Sequence, residues 1–277
     1  MVSSSLSVSS HRLKGLSDFG DSLERLSNVV DFEIFRSSLE SGFRFSQRER
    51  GGRPPYDAVL MFKILILQTL YNLSDDQTEY QIKDRLSFMR FLKLDLSDHI
   101  PDAKTIWLYR ERLKKAEMMD GLFRLFDQSL REKGYLAMGG QIVDASVIQA
   151  PRQRMTKNEK DQIKAGKIPQ DWKENPAKLS QKDMDARWII KQRKSKGNGL
   201  DIAIPLFGYK THLSVDRRFH FVRRYHVTEA SAYDGKLLDR ILSSENTAKD
   251  VWVDTAYHNQ ENEALLEREG LRSQLHL

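Results

Sequence analysis

The residues Gln141-Ile142-Val143-Asp144-Ala145-Ser146-Val147 set one carboxylate into an apolar run dominated by β-branched side chains. Such a run predicts a buried strand. A carboxylate inside it is costly unless it is paired, hydrogen-bonded or bound to a cation. Residues Asp250-Val251-Trp252-Val253-Asp254-Thr255-Ala256-Tyr257 repeat the form. Two strands that each meet an aspartate followed by a small residue constrain the fold strongly. They predict a sheet in which two strand ends build one site.

Upstream the hydrophobic period is helical. Apolar positions at Leu23, Leu26, Val29, Val30, Phe32 and Phe35 suggest a short amphipathic helix within a serine-rich N-terminal segment, 1–50. Gly51-Gly52-Arg53-Pro54-Pro55 breaks the chain. From Asp57 to Tyr71 apolar side chains cover most of a helical circumference, the pattern of a central core helix. Helices through Tyr80 and Ile82, from Pro101 through Leu113, and from Met119 to Leu130 follow, so 51–135 reads as an all-helical domain. From Gly139 the period changes. A strand at Ile142–Val147 leads into a polar stretch, 152–200, that is long for a loop and is therefore functional, partly helical or mobile. A hairpin over Phe207–Val227, a helical pattern at Tyr233–Leu242, a strand at Val251–Val253, a helix at Gln260–Glu269 and a final strand complete 139–277. The fold class expected is α+β.

A formal charge of +6 permits a polyanionic partner without requiring one. The absence of cysteine excludes disulfides, thiolate metal sites and a cysteine nucleophile. The longest apolar run, Ala58–Leu67, is interrupted by Lys63 and is shorter than the roughly 20 residues of a membrane span. Residues Met1 to Ser10 lack a basic region followed by an apolar core, so no signal peptide is expected. These features are compatible with a cytoplasmic protein that has no membrane partner.

From spacing alone, Asp144 and Asp254 admit two readings. They could present hard oxygen ligands to Mg²⁺ or Mn²⁺, or each could cap the turn after its strand. Arg110 and Arg112 follow Trp107 and Tyr109 on one helix, which is either a nucleic-acid-contacting helix or a core stripe with a solvated basic face. The cluster Arg187 to Lys196, with Lys191 and Arg193 around Trp188, either tracks a phosphate backbone or is a solvated charge run. His212, His220 and His226 do not have the spacing of a zinc site.

Several ordered stretches resemble the insertion-sequence DDE transposases, in particular the IS-five family. These are Arg53-Pro54-Pro55-Tyr56-Asp57 through Asp75, Asp84 to Leu92, Ile100-Pro101-Asp102 through Arg110, and Val143-Asp144-Ala145-Ser146. Phe207-Gly208-Tyr209-Lys210-Thr211-His212, Val227 to Ser231, and Asp254-Thr255-Ala256-Tyr257 complete the set. The resemblance runs from about residue 50 to the end. It implies an RNase H-like catalytic domain behind a helical domain. There, two aspartates and a glutamate hold two Mg²⁺ (or Mn²⁺) ions for phosphodiester cleavage and strand transfer. Asp144 and Asp254 match the two aspartates as catalytic and metal-binding residues, and Lys210 and His212 are expected near DNA. Double-stranded DNA, as terminal inverted repeats and target, is the implied partner, and a homo-oligomer is compatible.

Only 23 residues follow Asp254, whereas the family's glutamate lies on a helix well beyond that point. Glu261, Glu263, Glu267 and Glu269 fall on an intervening helix and do not match it. The expectation is therefore a C-terminally truncated or frameshifted transposase, inactive alone for want of its third carboxylate. A DNA-binding regulator of a full-length transposase and a fragment without a stable role are the alternatives.

Overall fold

A computed structural model of the chain describes residues 11–43, 54–193 and 202–275. It forms two compact units, Met1–Ser129 and Leu130–Leu277, the first helical and the second built on a mixed sheet, so the chain is α+β.

In the first unit the helices are α1 (residues 11–18), α2 (Ser22–Val29), α3 (Arg36–Phe43), α4 (Ala58–Leu70), α5 (Asp75–Asp84), α6 (Leu86–Leu92) and α7 (Ala103–Lys115). Helix α8 (Met119–Glu132) follows. Their starts are written in polar caps. Asp57 accepts from the Leu60 N–H at 2.9 Å, Ser74 and Gln77 form a capping box, and Asp102 accepts from Thr105 N–H at 2.7 Å. The apolar α4 lies at the centre of one core with Ile82, Phe88, Phe91, Ile106 and Leu113. Leu23, Phe32, Phe35 and Leu39 join that core, so the amphipathic stretch of the N-terminal segment is folded into it. Tyr109 ties α7 to α4 by donating to the Ala58 carbonyl at 2.8 Å.

Lys63, the one interruption of the apolar run, is inside this core at 5% exposure. Its ammonium donates to the Phe91 carbonyl and lies 4.3 Å from the Phe91 ring centroid and 5.3 Å from that of Phe32. Burial outweighs these contacts and pushes its pKa down to about 8 from the ordinary 10.5.

The second unit carries β1 (Gln141–Gln149), β2 (Arg187–Arg193), β3 (Ile202–Asp216), β4 (Val222–Glu229), β5 (Asp250–Val253) and β6 (Arg272–Leu275). The sheet order is β2-β3-β1-β5-β6, with β4 on β3. β1 is antiparallel to β3 and parallel to β5. Helices α12 (Leu238–Ile241) and α13 (Gln260–Arg268) pack Leu238, Ile241 and Leu266 on Val143, Val251 and Val253. The polar stretch after β1 is partly helical. It holds α9 (Lys157–Lys164), α10 (Gln170–Lys173), α11 (Pro176–Ser180) and the strand β2. Trp172 is fully buried there, and its indole N–H donates to Glu159 at 2.8 Å. The strand β2 was not legible because its cationic residues mask the alternation.

Gly208 sits where β3 passes from its ladder with β2 to that with β1. Its φ is +155°, and a Cβ there would overlap the Ile148 carbonyl oxygen and lie 2.8 Å from Ala150 N. Both obstacles are backbone and cannot yield cheaply.

Two outcomes are expected. Gly208→Ala should destabilise the second unit by at least about 2 kcal/mol in denaturant unfolding. For Lys63 the unfolded chain holds the proton more tightly than the folded one. Stability of the helical unit should therefore be lowest and flat below pH 8, and rise by up to about 3 kcal/mol as pH climbs from 8 to 10.5. Thermal melts across that range should lose this rise in Lys63→Met.

Candidate active site

The ladder between β1 and β5 pairs Gln141, Ile142 and Val143 with Val251, Trp252 and Val253. Asp144, within β1, and Asp254, the first residue past β5, come next after the last pair, so they stand side by side where the parallel pairing ends. β1 is also where the sheet changes from antiparallel to parallel neighbours. In open α/β sheets, ligands commonly bind outside the carboxyl ends of the parallel strands.

The sequence predicts a buried Asp144, and the structure corrects this. Burial alternates along β1 through Gln141 and Val143, whereas Asp144 and Asp254 are both exposed. Alternation explains the difference. The apolar residue before each aspartate faces the helices; Asp144, still paired with Leu213 on β3, takes the opposite face of β1, and Asp254 lies past the end of β5. Each spends one oxygen on local backbone. Asp144 Oδ1 accepts from Ala145 N–H at 2.7 Å, and Asp254 Oδ1 accepts from Ala256 N–H at 3.0 Å.

Behind them β3 presents a buried polar row at period two: Lys210, His212, Ser214 and Asp216. Every member is satisfied. Lys210 Nζ donates to the Ala232 carbonyl at 2.9 Å and to Asp234 at 2.8 Å. His212 Nδ1 meets the Tyr257 hydroxyl at 3.1 Å, and its Nε2 meets Thr228 Oγ1 at 3.0 Å. Ser214 donates to Gln141 at 2.8 Å. Asp216 accepts from Arg223 Nε at 3.0 Å and from the Phe219 and Phe221 N–H groups. Burial pushes the His212 imidazole below its ordinary range, against the charge of Asp234. At neutral pH it is therefore uncharged, with one ring nitrogen donating and the other accepting. Burial, then the charges of Asp234, Asp254 and Asp144, push the Tyr257 phenol up. Tyr257 thus stays protonated within the field of both site carboxylates.

Lys210 and His212, expected near DNA, have their side chains inside the unit. His212 is fully buried and Lys210 nearly so, and both are committed to partners within the unit. Arg110 is likewise engaged, gripping Asp75 at 2.7 and 2.9 Å and Gln68 at 2.7 Å. Arg112 is exposed beside a cleft of about 320 Å³ that Pro54, Tyr56, His99 and Tyr109 also line. Lys191 is exposed on β2. Arg193 ends that strand, but its side chain lies outside the described residues, as do Lys194 and Lys196. Glu263 is paired with His258 at 2.9 Å.

Among the described residues no group of three His, Cys, Asp or Glu is gathered as a metal site. The two adjacent, exposed carboxylates are a hard-oxygen donor set that fits Mg²⁺ or Mn²⁺, ions that keep waters and take phosphate oxygens as further ligands. Reading the sequence missed Asp234 and Asn262, which bond the site to its surroundings. Neither stands in a recognisable pattern, and only the folded chain brings them to Lys210 and Tyr257.

The Asp216–Arg223 pair is 0% and 1% exposed. Asp216→Asn should remove one charge of this buried pair and cost about 1.5–3 kcal/mol. Equilibrium unfolding measures it, and a loss below about 1 kcal/mol would show the pair to be dispensable.

Two family models match the chain. One, described as a transposase domain (DUF772), covers residues 11–112, and one described as a transposase DDE domain covers residues 136–275. No solved structure matches it.

Proposed function

We propose that this chain, which belongs to the DDE transposases, acts on phosphodiester bonds at the ends of an insertion sequence of the IS-five family, with Asp144 and Asp254 as two of its catalytic carboxylates. The observation that carries the reading is their placement, adjacent and exposed, one residue past the end of the β1–β5 ladder. A strand set with antiparallel β3 and β4 on one side of β1 and parallel β5 and β6 on the other supports an RNase H-like catalytic domain over 139–277. The helical domain over 51–135 is then a DNA-holding part.

Asp144 and Asp254 would hold the divalent ions that this family generally uses. Such ions supply activation of an attacking oxygen and charge neutralisation at a leaving oxygen. The chain's own contribution is otherwise positional. Exposure leaves the carboxylates open to a duplex, and the backbone N–H groups of Ala145 and Ala256 orient them. Exposed cations such as Arg112 and Lys191 are suited to phosphate contacts, which position a duplex without reading its sequence.

A second reading follows from one observation. Among the described residues no group of three His, Cys, Asp or Glu is gathered, and a site of two carboxylates suits a protein that occupies element ends without cutting them, a regulator of transposase.

The two separate in one assay on duplexes bearing terminal inverted repeats. Transposase chemistry predicts cleavage dependent on Mg²⁺ or Mn²⁺ that Asp144→Asn abolishes, with repeat binding within about twofold of the parent and weakened by salt. Cleavage that survives Asp144→Asn would reject the assignment. Repeat-specific binding with no cleavage at any divalent concentration would establish the regulator instead. Equal affinity for repeat and scrambled duplexes would count against both.

A further inference from the structure

We propose that Tyr257, through its hydroxyl bond to His212, is a positioning residue that holds the Asp254 turn beside Asp144 and thereby sets the site's affinity for its divalent cation. The inference rests on the two-aspartate site proposed above.

Two carboxylates side by side repel each other, and β5 ends at Val253, so Asp254 lies on a turn rather than in the ladder. Something other than strand pairing must fix that turn. Its backbone closes locally, with Tyr257 N–H donating to the Asp254 carbonyl at 3.2 Å. Tyr257 itself is 1% exposed and packs in the core with Val143, Val253 and Leu266. Its hydroxyl reaches His212 on β3 at 3.1 Å. Because β1 lies between β5 and β3, this bond spans the strand that carries Asp144. The turn after β5 is thus tied across β1.

The tie is anchored at both ends. His212 is held by Thr228 on β4 at 3.0 Å, and Asp234, which pairs with Lys210, lies 4.0 Å from His212 Nδ1. At the other end the Tyr257 carbonyl accepts from Asn262 Nδ2 at 2.7 Å, and the same amide donates to the Gly235 carbonyl at 2.8 Å. Gly235 packs so closely that a Cβ there would lie 2.5 Å from the Ala256 carbonyl oxygen. The loop carrying Asp234, the β3 row and the Asp254 turn therefore hold one another through directional bonds. Such outer partners of metal-holding groups commonly change affinity about 10- to 100-fold when removed.

The test is Mn²⁺ binding to the full chain, read as free aqueous Mn²⁺ by electron paramagnetic resonance, with thermal melts to verify folding. Asp144→Asn should abolish binding. Tyr257→Phe, which removes only the hydroxyl, should weaken it about tenfold. His212→Leu should weaken it as much, and combining the two should add nothing further, because both cut one link. His212→Asn, whose amide can still meet the tyrosine hydroxyl, should bind Mn²⁺ more tightly than His212→Leu. Should Tyr257→Phe fail to fold, the Asn and Leu pair at His212 decides the matter. Loss of binding in Asp144→Asn, with folded Tyr257→Phe or His212→Leu within about twofold of the parent, would overturn the link and leave the site standing. If the parent fails to bind Mn²⁺, or Asp144→Asn binds as the parent does, the two-aspartate site falls and the link with it.

Discussion

The parallel pairing of β5 with β1 stops after three residues, and the arrangement of the sheet-bearing unit depends on where it stops. Before that point Val143, Val251 and Val253 face the helices and make the unit's apolar core. Past it the strands no longer share hydrogen bonds, and each presents an aspartate to solvent. Asp144 stays in the β1–β3 ladder opposite Leu213 but on the face away from Val143, and Asp254 leaves β5 altogether, so neither carboxylate is desolvated.

The opposite face of the problem is met by β3. Its inward row of Lys210, His212, Ser214 and Asp216 is polar where a strand packed under helices is ordinarily apolar. Each side chain finds a partner within the unit, so burial carries no orphaned group in this row. Networks of this kind are directional, which apolar packing is not. The apolar cluster supplies burial, and the polar row specifies how the 232–235 loop, the Asp254 turn and the β3–β4 hairpin register with one another.

In the helical unit the same balance takes another form. Lys63 is the only charged residue of α4, and it is buried against Phe91 and Phe32. Helix starts there are determined by short-range chemistry at Asp57, Ser74 and Asp102. The tertiary bonds of Arg110 to Asp75 and of Tyr109 to Ala58 then join α7 to its neighbours.

Much was legible in the sequence because it is local. The helices from Ala58 to Glu132, the strands holding Asp144 and preceding Asp254, the β3–β4 hairpin and the Gly270 helix end all follow from hydrophobic period, caps and turn residues. The two aspartates were legible because they interrupt apolar runs and sit in ordered motifs. Only the tertiary structure decided that they are adjacent and exposed. Adjacency depends on strand order and register, which bring together residues 110 positions apart. It also decided that Lys210 and His212 face inward, since period two says which residues share a face but not which face is covered. β2 was hidden by its charges, and Asp234 and Asn262 became visible as site neighbours only through the partners that folding brings to them.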